Sequence, residues 1–170
     1  MREKDATRTV GYWKPRISLF TGEPVNLHRK GVCLVSRKVL IVDDVAFVRK
    51  TLSDVLSQAG YQVVGEAGDG QEAVNRYAET RPDIVTMDIV MPQMSGIEAI
   101  RKIIKMDKDA RVVIISAMGQ ENLIMEAINA GARDYVLKPF SAADVLKTMD
   151  RAFSGEPSGL PPRGAQARAI

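Results

Sequence analysis

From Lys38 onward the chain alternates short β-branched runs with amphipathic stripes five times over, and few folds accommodate that rhythm. The runs at 38–42, 61–66, 84–87, 112–115 and 134–137 are almost continuously apolar, as expected of strands buried on both faces of a parallel sheet. Between them Val45, Val48, Leu52, Val55, Leu56 and Ala59 recur at helical spacing, and Gly60 supplies a stop. Ile97, Ile100, Ile103 and Ile104 form a second such stripe, and Val145, Leu146, Met149 and Phe153 a third. Residues 71–80 and 121–130 complete five predicted helices. Strict alternation predicts an α/β domain, a doubly wound five-stranded parallel sheet with right-handed connections. No solenoid-type repeat is visible.

The ends differ from this middle. Residues 1–37 show no sustained period and 154–170 are rich in Gly, Pro, Ala and Arg, so both are expected to be poorly ordered tails around a domain at 38–153. After Met1 the next methionine is Met87, inside the predicted domain. Two readings of residues 1–34 therefore stay open: a genuine extension, or a start assigned upstream of a non-AUG codon at Val35.

Charge separates the same way. Residues 1–37 carry 8 Lys/Arg against 3 Asp/Glu, whereas 38–153 carry 14 against 17. A nucleic-acid binder would be expected to place its positive charge on a folded surface, so no nucleic-acid partner is expected. No run of about 18 apolar residues exists, and membrane insertion is not expected. Cys33 is the only cysteine, which excludes an internal disulfide and fits a reducing cytoplasm.

Chemistry gathers at the strand ends. Asp43 and Asp44 directly follow the first predicted strand and Asp88 the third. In open α/β sheets ligands bind beyond the carboxyl ends of strands where the strand order reverses. If the first and third strands are neighbours there, three carboxylates converge and repel unless a cation joins them. An oxygen-only cluster with room for water suits Mg²⁺; alternatively, Asp43 and Asp44 merely end a strand and cap the next helix. Lys138, closing the fifth strand before Pro139, can bring a point charge to a phosphoryl oxygen, or be a solvated strand-end lysine. Ser116, closing the fourth, can donate to the same oxygen, or simply open a loop. Four strand ends each delivering a suitable group to one edge are harder to obtain by chance than any one of them.

Four segments then stand together: KVLIVDD (Lys38–Asp44), DIVTMDIVMPQMSG (Asp83–Gly96), VVIISAMGQ (Val112–Gln120) and DYVLKPF (Asp134–Phe140). At this spacing they resemble the receiver domains of two-component response regulators, over residues 38 to about 153. SAMGQ, with no output domain following, is most similar to the stand-alone chemotaxis receivers of the CheY type. The resemblance implies a flavodoxin-like sheet of order 2-1-3-4-5 and makes Asp88 the phosphoryl acceptor. It implies that Asp44 and Asp88 ligate Mg²⁺ directly, that Asp43 acts largely through water, and that the backbone carbonyl of Val90 is a further ligand. Ser116 and Lys138 would hold phosphoryl oxygens, with a cis Lys138–Pro139 bond aiming the lysine. Such a protein catalyses only its own phosphorylation and slow dephosphorylation. The donor would be a sensor histidine kinase of the CheA kind; His28, the only histidine, lies in the N-terminal tail and is no candidate.

The resemblance also implies how the signal leaves. Ser116 would move toward the phosphoryl group and Tyr135 rotate into the vacated space, changing a surface on helix 4, strand 5 and helix 5. The fourth helix carries two apolar stripes, Leu123–Ala127–Ala130 and Ile124–Ile128. The second is either a wider core face or, with Tyr135, part of a partner surface, and the resemblance favours the latter. The two lifetime-tuning positions are Val90 and Met118; both are apolar and cannot orient an attacking water. Slow self-dephosphorylation and a separate phosphatase are therefore expected.

The implied target is the flagellar motor switch, with a shuttle to a histidine phosphotransfer protein as the alternative. Two readings of other classes fit less well. A flavodoxin-like nucleotide carrier needs a phosphate cradle after the first strand, where Asp43 and Asp44 would repel phosphate. A Mg²⁺-dependent hydrolase with an aspartate nucleophile needs a general acid where Val90 stands.

Overall fold

The computed structural model describes residues 36–155. The readings made for residues 1–35 and 156–170 lie outside the described residues. Ten elements alternate without exception. They are β1 (Lys38–Val42), α1 (Ala46–Gln58), β2 (Gln62–Ala67), α2 (Gly70–Thr80), β3 (Ile84–Asp88), α3 (Gly96–Met106), β4 (Val112–Ala117), α4 (Glu121–Ala130), β5 (Asp134–Lys138) and α5 (Ala142–Ser154). All strand pairs are parallel, in the order β2-β1-β3-β4-β5. The order reverses between β1 and β3, which are direct neighbours through Val39–Ile84 to Val42–Met87.

The central strands read as uninterrupted apolar runs because both their faces are covered. Leu40, Val42, Val85, Met87, Val112 and Ile114 pack with α2, α3 and α4. Val39, Ile41, Ile84, Val113 and Ile115 pack with α1 and α5, through Leu52, Leu56, Val145 and Met149. Burying each large aliphatic side chain contributes about 1.5–3 kcal/mol, so the sheet is anchored from two sides at the strands that carry the site.

The helix starts are set locally. Asp69 accepts from the backbone of Gln71 and Glu72 to cap α2. Ser95–Glu98 and Ser141–Asp144 form reciprocal capping boxes on α3 and α5. Helix α1 starts differently: its N-cap, Val45, offers no side-chain acceptor.

Several boundaries differ from expectation. Asp88 is the last residue of β3, β4 runs on to Ala117, and β5 takes in Lys138. These polar ends continue the ladder because backbone pairing, such as Asp88 with Ile115 and Ala117 with Lys138, does not need apolar side chains. Arg37, read as tail, belongs to the fold: its carbonyl accepts from the Gln62 amide at 2.9 Å, and its guanidinium lies 3.9 Å from the Phe153 ring centroid. Ser154 is the last residue of α5.

The second apolar stripe of α4 is core. Ile124 and Ile128 are 4% and 5% exposed and pack with Ala127, whereas Leu123 and Ala130 are only partly buried. The expected partner surface is thereby corrected for these two isoleucines: α4 turns 124–127–128 onto the sheet, leaving Leu123 at the margin. No helix among the described residues is long and apolar enough to cross a membrane.

Candidate functional site

The carboxyl ends of β1 and β3 deliver the acids to one place. Asp43, Asp44 and Asp88 each present a carboxylate oxygen within 4.8 Å of the others; Asp43 and Asp88 are buried and Asp44 is exposed. Lys138 reaches them from β5, its Nζ 2.7 Å from Asp43 Oδ2 and 3.3 Å from Asp88 Oδ2. The lysine is thus an ion-pair partner of two of the acids, not a solvated strand-end residue. The Lys138–Pro139 peptide is cis.

Each acid is held differently. Asp43 Oδ1 accepts from the Val45 amide at 2.9 Å; neither Asp43 nor Asp44 caps α1, whose N-cap is Val45 without a side-chain bond, so the helix-capping alternative is not realised. The Asp43 backbone carbonyl accepts from Arg49 Nη1 at 2.7 Å, and Arg49 is tied onward to Glu66 at 3.1 Å. Asp88 Oδ1 accepts from the Ile89 amide at 2.8 Å.

The loop after Asp88 is drawn against the strand by Gly96, whose amide donates to the Ile89 carbonyl at 2.9 Å. A Cβ at position 96 would fall 1.9 Å from the Asp88 carbonyl oxygen, so only glycine permits this approach. Val90, the expected carbonyl ligand, lies in this loop with its side chain exposed.

Electrostatics favours a cation here. Burial pushes the Asp88 carboxyl above the usual carboxylate range; Lys138 opposes that rise and Asp43 adds to it. Burial works against the Lys138 ammonium, but the hydrogen bond to Asp43 and the charge of Asp88 outweigh it and raise its pKa. One ammonium is thus shared by Asp43 and Asp88, and the third carboxylate of the cluster, Asp44, has no contact with it. Oxygen-only donors with one exposed member are the set a hard, water-retaining ion such as Mg²⁺ prefers, so the residues present fit that metal. Asp44 and Asp88 would hold it directly.

Ser116 is buried at the end of β4. Its hydroxyl donates to Gln120 Oε1 at 2.6 Å, and the Ala117 amide donates to the same oxygen at 3.1 Å. Gln120 had no assigned role in the sequence; the signal available was its place four residues after Ser116 in SAMGQ. Tyr135 is half-buried on β5 in register with Ile114 and packs against the α2–α3–α4 side of the core.

Several exposed hydrophobic residues are near the site residues in sequence. Six large hydrophobic residues are exposed among the described residues: Val45, Phe47, Val90, Met106, Met118 and Leu137. All except Met106 lie within three positions of Asp44, Asp88, Ser116 or Lys138. Val90 and Met118, the expected lifetime-tuning positions, are both among these exposed residues.

Comparison with known proteins agrees with this geometry. Residues 39–150 match the model of the response regulator receiver domain. The chain is 50% identical over 117 residues to the chemotaxis protein CheY of Thermotoga maritima, covering 69% of this chain and 98% of that protein. It is 45% identical over 120 residues to the chemotaxis protein CheY of Bacillus subtilis, covering 71% of this chain and all of that protein. Its fold is similar to the crystal structure of the CheX-CheY-BeF3-Mg+2 complex from Borrelia burgdorferi. There the TM-score is 0.66 at 40% identity, with 69% of this chain and 89% of that chain covered.

Proposed function

The chain belongs to the response regulator receiver family, and from that premise we propose that it is a phosphoacceptor switch that works on Asp88. The observation that carries this reading is the triad of carboxylates within 4.8 Å, together with Lys138 at 2.7 Å from Asp43 and 3.3 Å from Asp88.

In the proposed step an Asp88 carboxylate oxygen attacks the phosphorus of a phosphohistidine on a separate sensor kinase. The P–N bond breaks and its electron pair returns to the imidazole nitrogen. An acyl phosphate P–O bond forms on Asp88. Mg²⁺, bound by Asp44 and Asp88, by Asp43 through water and by the Val90 backbone carbonyl, would supply charge neutralisation. Lys138 holds a phosphoryl oxygen, and the Ser116 hydroxyl donates a hydrogen bond to another. Catalysis is positioning and charge compensation. Reset follows when water attacks the phosphorus, releasing inorganic phosphate and restoring the carboxylate. Val90 and Met118 offer that water no hydrogen bond, so the switch decays slowly by itself.

The output proposed is a chemotaxis signal delivered to the flagellar motor switch through helix α4, strand β5 and helix α5, with Tyr135 as the moving side chain. The CheY relatives support that assignment by their likeness over nearly their whole length. The exposed apolar residues that neighbour the carboxylates in sequence, Val45, Phe47 and Val90, are the proposed landing zone for the kinase and for a phosphatase. A relative crystallised with CheX, BeF3 and Mg²⁺ supports a partner of this kind. In this reading the protein works in the cytoplasm, where a sensor kinase and the motor switch would meet it.

The test is intact mass after incubation with acetyl phosphate and Mg²⁺. One added phosphoryl group, lost without Mg²⁺ and lost in Asp88→Ala, is expected. A folded protein that gains no mass would be a constitutive binding module, and the proposal would fall.

A further inference from the structure

The β4–α4 connection holds a contact that the carboxylate cluster does not explain. Ser116 carries one hydroxyl proton, and that proton goes to Gln120 Oε1 at 2.6 Å; the alternative acceptor, the Ala117 carbonyl, is at 3.4 Å. The Ala117 amide, which can only donate, also reaches Oε1 at 3.1 Å. Two donors on one atom identify it as the oxygen of the side-chain amide.

Gln120 occupies the N-cap position of α4, yet its side chain makes no cap hydrogen bond. It turns back onto the strand end instead, around Gly119 at φ +83°. The side chain at this position therefore holds the strand end and not the helix.

We infer that Gln120 is a positioning residue that competes with a phosphoryl oxygen on Asp88 for the single proton of Ser116, so that release by Gln120 gates the switch. This rests on the phosphoacceptor reading above. The Ser116–Gln120 bond belongs to the resting state and is broken when Ser116 turns to the phosphoryl group. Removing an interaction made only in the ground state lowers the barrier. The net worth of one such bond corresponds to a factor of roughly two to ten.

The experiment compares initial rates of phosphoryl gain from acetyl phosphate with Mg²⁺, read by intact mass. Wild type, Gln120→Leu and Gln120→Glu are measured, each also with Ser116→Ala. Leucine, which cannot accept the proton, is expected to be faster by roughly two- to tenfold. Glutamate, whose charged oxygen grips the hydroxyl harder, is expected to be slower. Both differences should vanish when residue 116 is alanine. If Gln120 merely shapes the loop, both substitutions slow the reaction and do so equally in the two backgrounds. That outcome, or a leucine variant no faster than wild type, overturns the inference; Gln120→Met replaces leucine if that variant does not fold. A wild type that gains no mass at all is a different failure: it removes the phosphoacceptor reading and the inference with it.

Discussion

Lys138 Nζ lies 2.7 Å from Asp43 Oδ2, a contact that joins the end of β5 to the end of β1 across 95 residues of sequence. Asp43 is fully buried and stands against two further carboxylates. Replacing Lys138 with Met keeps most of the stem and removes the cation that pairs with the Asp43 and Asp88 carboxylates. The expected loss is about 1–3 kcal/mol of stability, the cost of stranding a buried polar group, and Mg²⁺ should return much of it. Lys138 also opposes the rise of the Asp88 pKa, so the acid limb of the phosphorylation rate should move to higher pH. Denaturant melts with and without Mg²⁺, and labelling rates across pH 4–7, check both. Equal Mg²⁺ stabilisation of wild type and variant would count against the pairing.

Gly96 has no room for a side chain. Its Cβ would meet the Asp88 carbonyl oxygen at 1.9 Å and the Asp88 carbonyl carbon at 3.0 Å. Both contacts are backbone, so neither can swing aside. Gly96→Ala must displace the end of β3 or the start of α3, with a cost at or above the usual 1–3 kcal/mol for overpacking. It should also lower phosphoryl labelling of whatever folded protein remains, because the clash is with the backbone of Asp88 itself. Urea denaturation and labelling of the folded fraction test this; an alanine variant with unchanged stability would show that the approach is not tight.

These contacts were unequally legible in the sequence. The sheet was readable because β1, β3 and β4 are covered on both faces and so run apolar without interruption. Convergence of Asp43, Asp88 and Lys138 was readable because topology alone sends parallel strand ends to one edge. The faces of α4 were not readable. Apolar residues at 123, 124, 127, 128 and 130 allow two overlapping stripes, and only the tilt of the helix on the sheet selects Ile124 and Ile128 for the core. Side-chain partners were hidden too: Ser116 with Gln120 depends on the path of Ala117–Gly119, and Tyr77 with Asp107 on how α2 meets the end of α3.

That last pair predicts a pH effect. Buried Tyr77 donates to Asp107 Oδ2 at 2.8 Å. Burial, then the bond to Asp107, holds the Tyr77 hydroxyl well above its usual value, while that bond holds Asp107 below the usual carboxylate range. A raised tyrosine binds its proton more tightly when folded, so its contribution is full below about pH 10 and falls as pH rises further. The depressed aspartate contributes above about pH 4 and loses that contribution as pH falls. Tyr77→Phe should therefore cost about 1 kcal/mol at neutral pH, with the gap to wild type narrowing at either extreme. Urea melts at pH 7 and 10.5 decide the alkaline arm, where a constant or widening gap would contradict the assignment.

The final prediction concerns how long the phosphorylated state lasts. Val90 stands two residues after Asp88 and Met118 two after Ser116, and their side chains are 54% and 74% exposed. Exposed as they are, water reaches both, and neither can accept or donate a hydrogen bond to orient it. An amide at position 90 can do both. One well-placed hydrogen bond to the attacking water lowers the barrier by about 1.4 kcal/mol, which is roughly tenfold in rate. Val90→Asn should therefore shorten the lifetime of the acyl phosphate by up to about that factor. The rate of formation should change less, because that step uses no attacking water. Decay followed by intact mass after removal of acetyl phosphate measures it directly. An unchanged or longer lifetime would mean that water is limited elsewhere, with Lys138 and the Ser116 loop the first places to look.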